Sequence, residues 1–155
     1  MFGGGVKREY PDRPILAVGA LVVREGKVLL AKRRLEPNHG LWSLPGGAVR
    51  SGEALKAALA RELREECGIE VAVEEIGEVV ERIIPDAEGR TRCHYIILDY
   101  RARWLRGDLS PSEEVEDARW VDPADLHRYE MTQGTAEVIR RLLARRDDGL
   151  ECYGR

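Results

Sequence analysis

A chain of 155 residues that is 43% hydrophobic and 34% charged holds enough apolar material for one domain with its own core. The formal net charge of −3 lacks the basic excess of a general nucleic-acid binder. No apolar run reaches the roughly 18 residues that a membrane-spanning helix needs. Cys67, Cys93 and Cys152 lie too far apart for a zinc spacing or a disulfide framework, which points to a reducing cytoplasm.

In chain order, residues 1–12 read as a flexible N-terminal tail without the apolar centre of a signal peptide. Residues 14–23, Pro-Ile-Leu-Ala-Val-Gly-Ala-Leu-Val-Val, predict a strand buried on both faces. Glu25-Gly26 marks a turn and 27–32 returns as a second strand. A polar loop over 33–40 leads to a short extended piece at 41–44. Leu44-Pro-Gly-Gly-Ala48 is a glycine turn whose backbone can approach a phosphate or offer a carbonyl to a metal. A helix follows, with Ser51 or Gly52 as its N-cap and Glu53 in its first turn. Its apolar stripe is Leu59, Leu63 and Cys67, and Gly68 sits at a left-handed stop. Two strands, about 69–84 and 91–104, flank a turn at 85–89. An acidic loop covers 107–117 and a short strand 119–121. Asp122-Pro123 opens a helix, and a last helix spans about 132–145. Residues 13–145 form the single domain and 146–155 a C-terminal tail. Alternating strands and helices imply a layered α/β architecture.

The chemistry concentrates in Gly47-Ala-Val-Arg-Ser-Gly-Glu53, seven further residues, and Arg61-Glu-Leu-Arg-Glu-Glu-Cys-Gly-Ile69. Helical spacing makes Glu62 and Glu66 neighbours, with Glu65 flanking them. Crowded carboxylates repel unless a cation joins them. An oxygen-only cluster with few protein ligands suits Mg²⁺, with Mn²⁺ as substitute. Glu62 and Glu66 are therefore the leading metal ligands, and Glu65 serves as third ligand or as base. A solvated face paired with Arg61 and Arg64 is the competing reading. Arg61 lies one turn from Glu65 and orients a carboxylate. Gly46 and Gly47 set the loop, and Gly47 is the candidate for a carbonyl ligand. Arg33, Arg34 and Arg92 are candidates for substrate phosphates, each with an ordinary surface charge as its alternative. Trp42, Tyr95 and Trp104 are candidates to stack a base, or core aromatics. His39 and His94 read as structural, and Cys67 as a small buried hydrophobe.

This pattern resembles the Nudix hydrolase family. Its box of Gly, five residues, Glu, seven residues and Arg-Glu-aliphatic-any-Glu-Glu-any-Gly-aliphatic is matched without a gap at 47–69. Trp42-Ser-Leu-Pro-Gly-Gly47 is similar to the family's lead-in. The resemblance implies the Nudix fold, a mixed sheet between helices. It implies water attack on a diphosphate bridge, giving a nucleoside monophosphate and a phosphorylated second product. A further carboxylate comes from a late loop in the family, and Glu114 is its counterpart here. Pro85, sixteen positions past Ile69, is similar to the pattern of ADP-ribose pyrophosphatases in the family. ADP-ribose is accordingly the lead substrate, with nucleoside triphosphates second and a non-catalytic nucleotide sensor as the alternative of another class. The implied partners are a small nucleotide and a second copy in a homodimer, with neither nucleic acid nor membrane.

Overall fold

The computed structural model describes residues 7–152, with side chains through 145. The chain runs β1 (Ile15–Arg24), β2 (Lys27–Arg33), β3 (Trp42–Ser43), β4 (Gly46–Ala48), α1 (Leu55–Cys67), β5 (Glu70–Pro85), β6 (Thr91–Arg106) and β7 (Val115–Val121). A 3₁₀ turn at Pro123–Arg128 and α2 (Thr135–Cys152) complete it. One mixed sheet has the order β3-β2-β1-β6-β5, with β4 added to β1 and β7 to β2. β1 and β6 run parallel from Ile15↔Tyr95 to Val23↔Arg103, while the other pairings are antiparallel.

The near-continuous apolar run of β1 follows from helices on both faces of the sheet. Alternate residues of a strand point to opposite sides. Val18, Ala20 and Val22 pack towards α1, with Leu59, Leu63 and Cys67. Leu21 packs the other way, with Val28 and Leu30 of β2 and Val138, Ile139 and Leu142 of α2. This is the expected mixed sheet between helices, and the centre of β1 is buried on both faces, while Leu16 near its start and Val79 and Ile83 of β5 are exposed.

Several boundaries differ from the sequence reading. The N-cap of α1 is Ala54, with no side-chain cap, rather than Ser51 or Gly52. Glu53 precedes the helix because Arg61 engages its carboxylate and the Arg50 amide donates to it. Gly68 ends α1 as expected, at φ 72°, its amide donating to the Arg64 carbonyl. β7 begins at Val115 instead of Arg119. Its buried residues Val115, Ala118 and Val121 recur every third position, so no alternating signal marks it. α2 starts at Thr135 and continues to Cys152, where periodicity placed 132–145. Of the N-terminal twelve residues, those described lie along the β5–β6 hairpin. The Tyr10 amide donates to the Arg92 carbonyl at 2.8 Å and its hydroxyl to Asp86 at 2.9 Å.

Candidate active site

The site forms where α1 crosses β4. Gly46 and Gly47 pair with Gly19 and Val18 of β1. A Cβ on Gly46 would collide with the Val18 carbonyl and come within 2.7 Å of the Gly19 Cα. A Cβ on Gly47 would meet the Glu62 carboxylate, both oxygens lying 2.6 Å from that position. The missing side chains thus let α1 lay its acidic face directly on the sheet edge. The Gly46 amide donates to Glu66 Oε2 at 3.2 Å.

Arg61 organises the surroundings. It donates to both Glu53 oxygens at 2.6 and 2.9 Å, to Glu62 Oε1 at 2.8 Å, to Glu65 Oε2 at 3.2 Å and to the Ala48 carbonyl at 3.3 Å. Its side chain is 13% exposed, so these bonds act with little competition from water. They hold the Glu53 carboxyl down at about 2 against an ordinary 4.5. A carboxylate with a depressed pKa contributes its stability above the unfolded value and loses it as pH falls. The wild type should therefore exceed Glu53→Gln in urea midpoint above pH 4.5, and the two curves should converge by about pH 2. Parallel curves across that range would show that the Arg61 pair contributes nothing to folding.

Glu62 and Glu66 sit in the opposite situation. Burial pushes both carboxyls up. Arg61 opposes the shift at Glu62, while the Glu65 and Glu114 charges add to it. Glu66 rises to about 8, with the Glu62 and Glu114 charges adding to burial against the Gly46 amide and Arg33. Two desolvated carboxylates one helical turn apart, with a third charge facing them, form an oxygen donor set whose repulsion a divalent cation relieves. The donor chemistry therefore fits Mg²⁺. Among the described residues no three acidic, histidine or cysteine side chains are yet drawn together around a single point, since Arg61 and the Gly46 amide engage the carboxylates individually.

Glu62, Glu66, Gly46 and Gly47 line one end of a cleft of about 320 Å³, and Arg33 lines it too. Arg33 Nε is buried without a protein partner, and its charge acts on Glu66. Glu114 lies in a smaller adjoining hollow together with Glu66 and Arg33. Glu65 is on the flank, its side chain 53% exposed. Arg34 and Arg92, expected at the phosphates, are not brought to the cleft. The Arg34 amide bonds to the Glu114 carbonyl, and Arg92 is paired with Glu9 at 2.8 Å. Of the three aromatics, Tyr95 lines the cleft. Trp42 is core, edge-on to Tyr129 at 5.1 Å, and Trp104 lies under the Arg24 guanidinium at 3.7 Å. His39 and His94 face Glu116 and Glu81. Cys67 is fully buried, its thiol pushed to about 12 by desolvation. Pro85 is exposed at the end of β5, next to Ile83 and Ile84, which line the cleft.

Sequence reasoning missed Arg8, Arg82 and Asp99, all of which line the cleft. Asp99 had a signal, as a lone acid within Tyr95-Ile-Ile-Leu-Asp-Tyr100. Arg8 and Arg82 resemble ordinary surface charges in sequence and carried none.

The NUDIX domain family pattern matches residues 13–142. The chain is 31% identical over 109 residues to an ADP-ribose pyrophosphatase of Methanocaldococcus jannaschii, a match spanning 70% of this chain and 62% of that protein. It is 34% identical over 129 residues to the nucleoside triphosphatase NudI of Escherichia coli, spanning 77% of this chain and 90% of that one. Among solved structures, the MutT NUDIX hydrolase from Burkholderia pseudomallei aligns at 32% identity and a TM-score of 0.70, covering 84% of this chain and 98% of that one.

Proposed function

This chain belongs to the Nudix hydrolase family, and from that premise we propose that it is a Mg²⁺-dependent pyrophosphohydrolase cleaving the diphosphate bridge of a nucleoside diphosphate linked to a second moiety. ADP-ribose is the lead substrate. The observation that carries the reading is the pair of buried carboxylates, Glu62 and Glu66, pressed against Gly46–Gly47 at the end of a cleft that also presents the unpartnered Arg33.

Glu62, Glu66 and the Gly47 carbonyl would hold the cation, which supplies charge neutralisation at phosphorus and an acidified water. The chain's own residues do the rest. Arg61 fixes Glu62 and Glu53, which sets the angle at which the carboxylates face β4. Arg33 receives a phosphate oxygen. Water attacks phosphorus, the bridging oxygen leaves with one phosphate, and the water's proton passes to a carboxylate. Glu114 is our choice for that role, because it faces Glu66 across the smaller hollow. Glu65 is the alternative, reached from the Arg61 side.

Similarity to an ADP-ribose pyrophosphatase supports the lead substrate, as does a cleft extending well past the acidic end. Similarity to a nucleoside triphosphatase over 90% of its length favours a second reading, a nucleoside triphosphate pyrophosphohydrolase. Phosphate-product release with Mg²⁺ across ADP-ribose, other diphosphate sugars and the (d)NTPs separates them. The lead reading predicts AMP from ADP-ribose at a kcat/KM at least tenfold above any triphosphate. The reverse order assigns the chain to triphosphates, and tight binding without turnover would make it a sensor.

The homodimer and the cytoplasmic setting belong to the same proposal. Buried, free Cys67 and Cys93 agree with a reducing compartment. Light scattering that returns a monomer mass at working concentration removes the dimer.

A further inference from the structure

Among the described residues the buried polar side chains are Asp99, 6% exposed, and Thr135, 7% exposed, and both line the same cleft. Thr135 is satisfied by the Thr132 hydroxyl at 2.5 Å. Among the described residues Asp99 has no ion pair or side-chain hydrogen-bond partner. Only the longer-range charges of Arg82 and Glu78 act on it, and desolvation dominates. The Asp99 carboxyl is largely desolvated but lines the cleft, where a ligand's donor can reach it, and the fold leaves room for it. Gly19 is its cross-strand neighbour, and a Cβ there would overlap Asp99 Oδ1.

Its placement defines what it can meet. Gly46, Gly19 and Asp99 are successive partners across β4, β1 and β6. At about 4.8 Å per strand, the Asp99 Cα stands about 10 Å from Gly46, one nucleoside's reach from the acidic end. Tyr95, Ile97 and Asp99 alternate along β6, so they share a face, and all three line the cleft. That face offers an aromatic ring, an apolar step and then a carboxyl. Under the reading given above the phosphates lie at the end with Glu62, Glu66 and Arg33, where a cation offsets the carboxylates, and Asp99, with Arg82 nearby, stands apart from it and can accept from a hydrogen-bond donor.

We propose that Asp99 is a specificity-determining residue that accepts hydrogen bonds from the nucleoside of the substrate, through base N–H groups or ribose hydroxyls. This rests on the nucleotide reading of the cleft given above.

The test is calorimetric binding of AMP, GMP, CMP and UMP and their 2′-deoxy forms to the wild type, Asp99→Asn, Asp99→Leu and Gly19→Ala. Gly19→Ala leaves Asp99 in the chain but displaces its carboxyl, so the claim survives a misfolded leucine variant. The wild type should prefer one nucleotide at least tenfold. Loss of a bond to a charged group should weaken that nucleotide by about 10- to 100-fold and leave the poorest ligand within about threefold. Preference among bases assigns the donor to the base, and preference for ribose over deoxyribose assigns it to the sugar. Equal weakening of every nucleotide, no change in any, or a wild type without preference would overturn the proposal. Binding needs no turnover, so an inactive wild type would defeat the hydrolase reading and still leave Asp99 judged.

Discussion

Glu66→Gln should lower Mg²⁺-dependent turnover by about 10³-fold, the scale of losing a preorganised charge-stabilising group, while the metal-free protein becomes no less stable at pH 8. The two effects share one cause. The Glu66 carboxyl stands at about 8 when folded against 4.5 ordinarily. Between those values the folded protein keeps a proton that the unfolded chain has released. The metal-free fold therefore loses stability as pH rises from 4.5 to 8, and the loss is complete above about 8. Glutamine removes the buried charge and with it that slope. Mg²⁺ acts in the other direction, stabilising the ionised pair. At a hundredfold excess over its Kd it should add about 2.7 kcal/mol, a Tm rise of roughly 5–10 °C for a domain of this size. That rise should be larger at pH 8 than at pH 5.5 and absent in Glu66→Gln. A thermal melt series in both proteins checks the set. A Glu66→Gln variant that melts lower without metal, or that keeps the Mg²⁺ shift, would remove Glu66 from the cation site.

The adjacent glycines should separate fold from function. Gly46→Ala places a methyl group against the backbone carbonyl of Val18 at φ 156°, where neither partner can turn away. Backbone strain and overpacking together should cost about 3 kcal/mol and open the β1–β4 pairing. Gly47→Ala meets first the end of the Glu62 side chain, which must swing away and give up its 2.8 Å bond to Arg61. Stability should fall by about 1.5 kcal/mol, half the cost expected at Gly46, while displacement of the carboxylate should lower kcat by about 10²-fold. Denaturant midpoints and kcat on the same preparations decide it. Equal effects of the two substitutions on both quantities would mean that Gly47 serves the turn and not the carboxylate.

Much of the site was legible because its physics is local. Glu62 and Glu66 are neighbours by helical spacing alone, Leu59, Leu63 and Cys67 bury the other side of the same helix, and Gly68 stops it where only a left-handed residue fits. The apolar run of β1 announced a strand covered on both faces. Contacts between distant segments were not legible. Arg61 bridges Glu53, Glu62, Glu65 and the Ala48 carbonyl, whereas the sequence offered only its nearness to Glu65. The helix begins at Leu55, after an Ala54 N-cap, and leaves Glu53 outside it. Arg92 seemed free for phosphate until the N-terminal segment brought Glu9 against it. Asp99 needed the β1–β6 register and Gly19 to become a cleft residue, since strand order cannot be read from either strand alone.

In the proposed function the carboxylate pair of α1, seated on Gly46–Gly47, forms a metal-dependent centre for diphosphate cleavage. The most direct measurement is nucleoside monophosphate release from ADP-ribose and the triphosphates, with and without Mg²⁺, by the wild type beside Glu62→Gln/Glu66→Gln. Turnover should require Mg²⁺ and disappear in the double variant, whose melting temperature stays at or above that of the metal-free wild type. Turnover that persists in the folded double variant would contradict the proposed function.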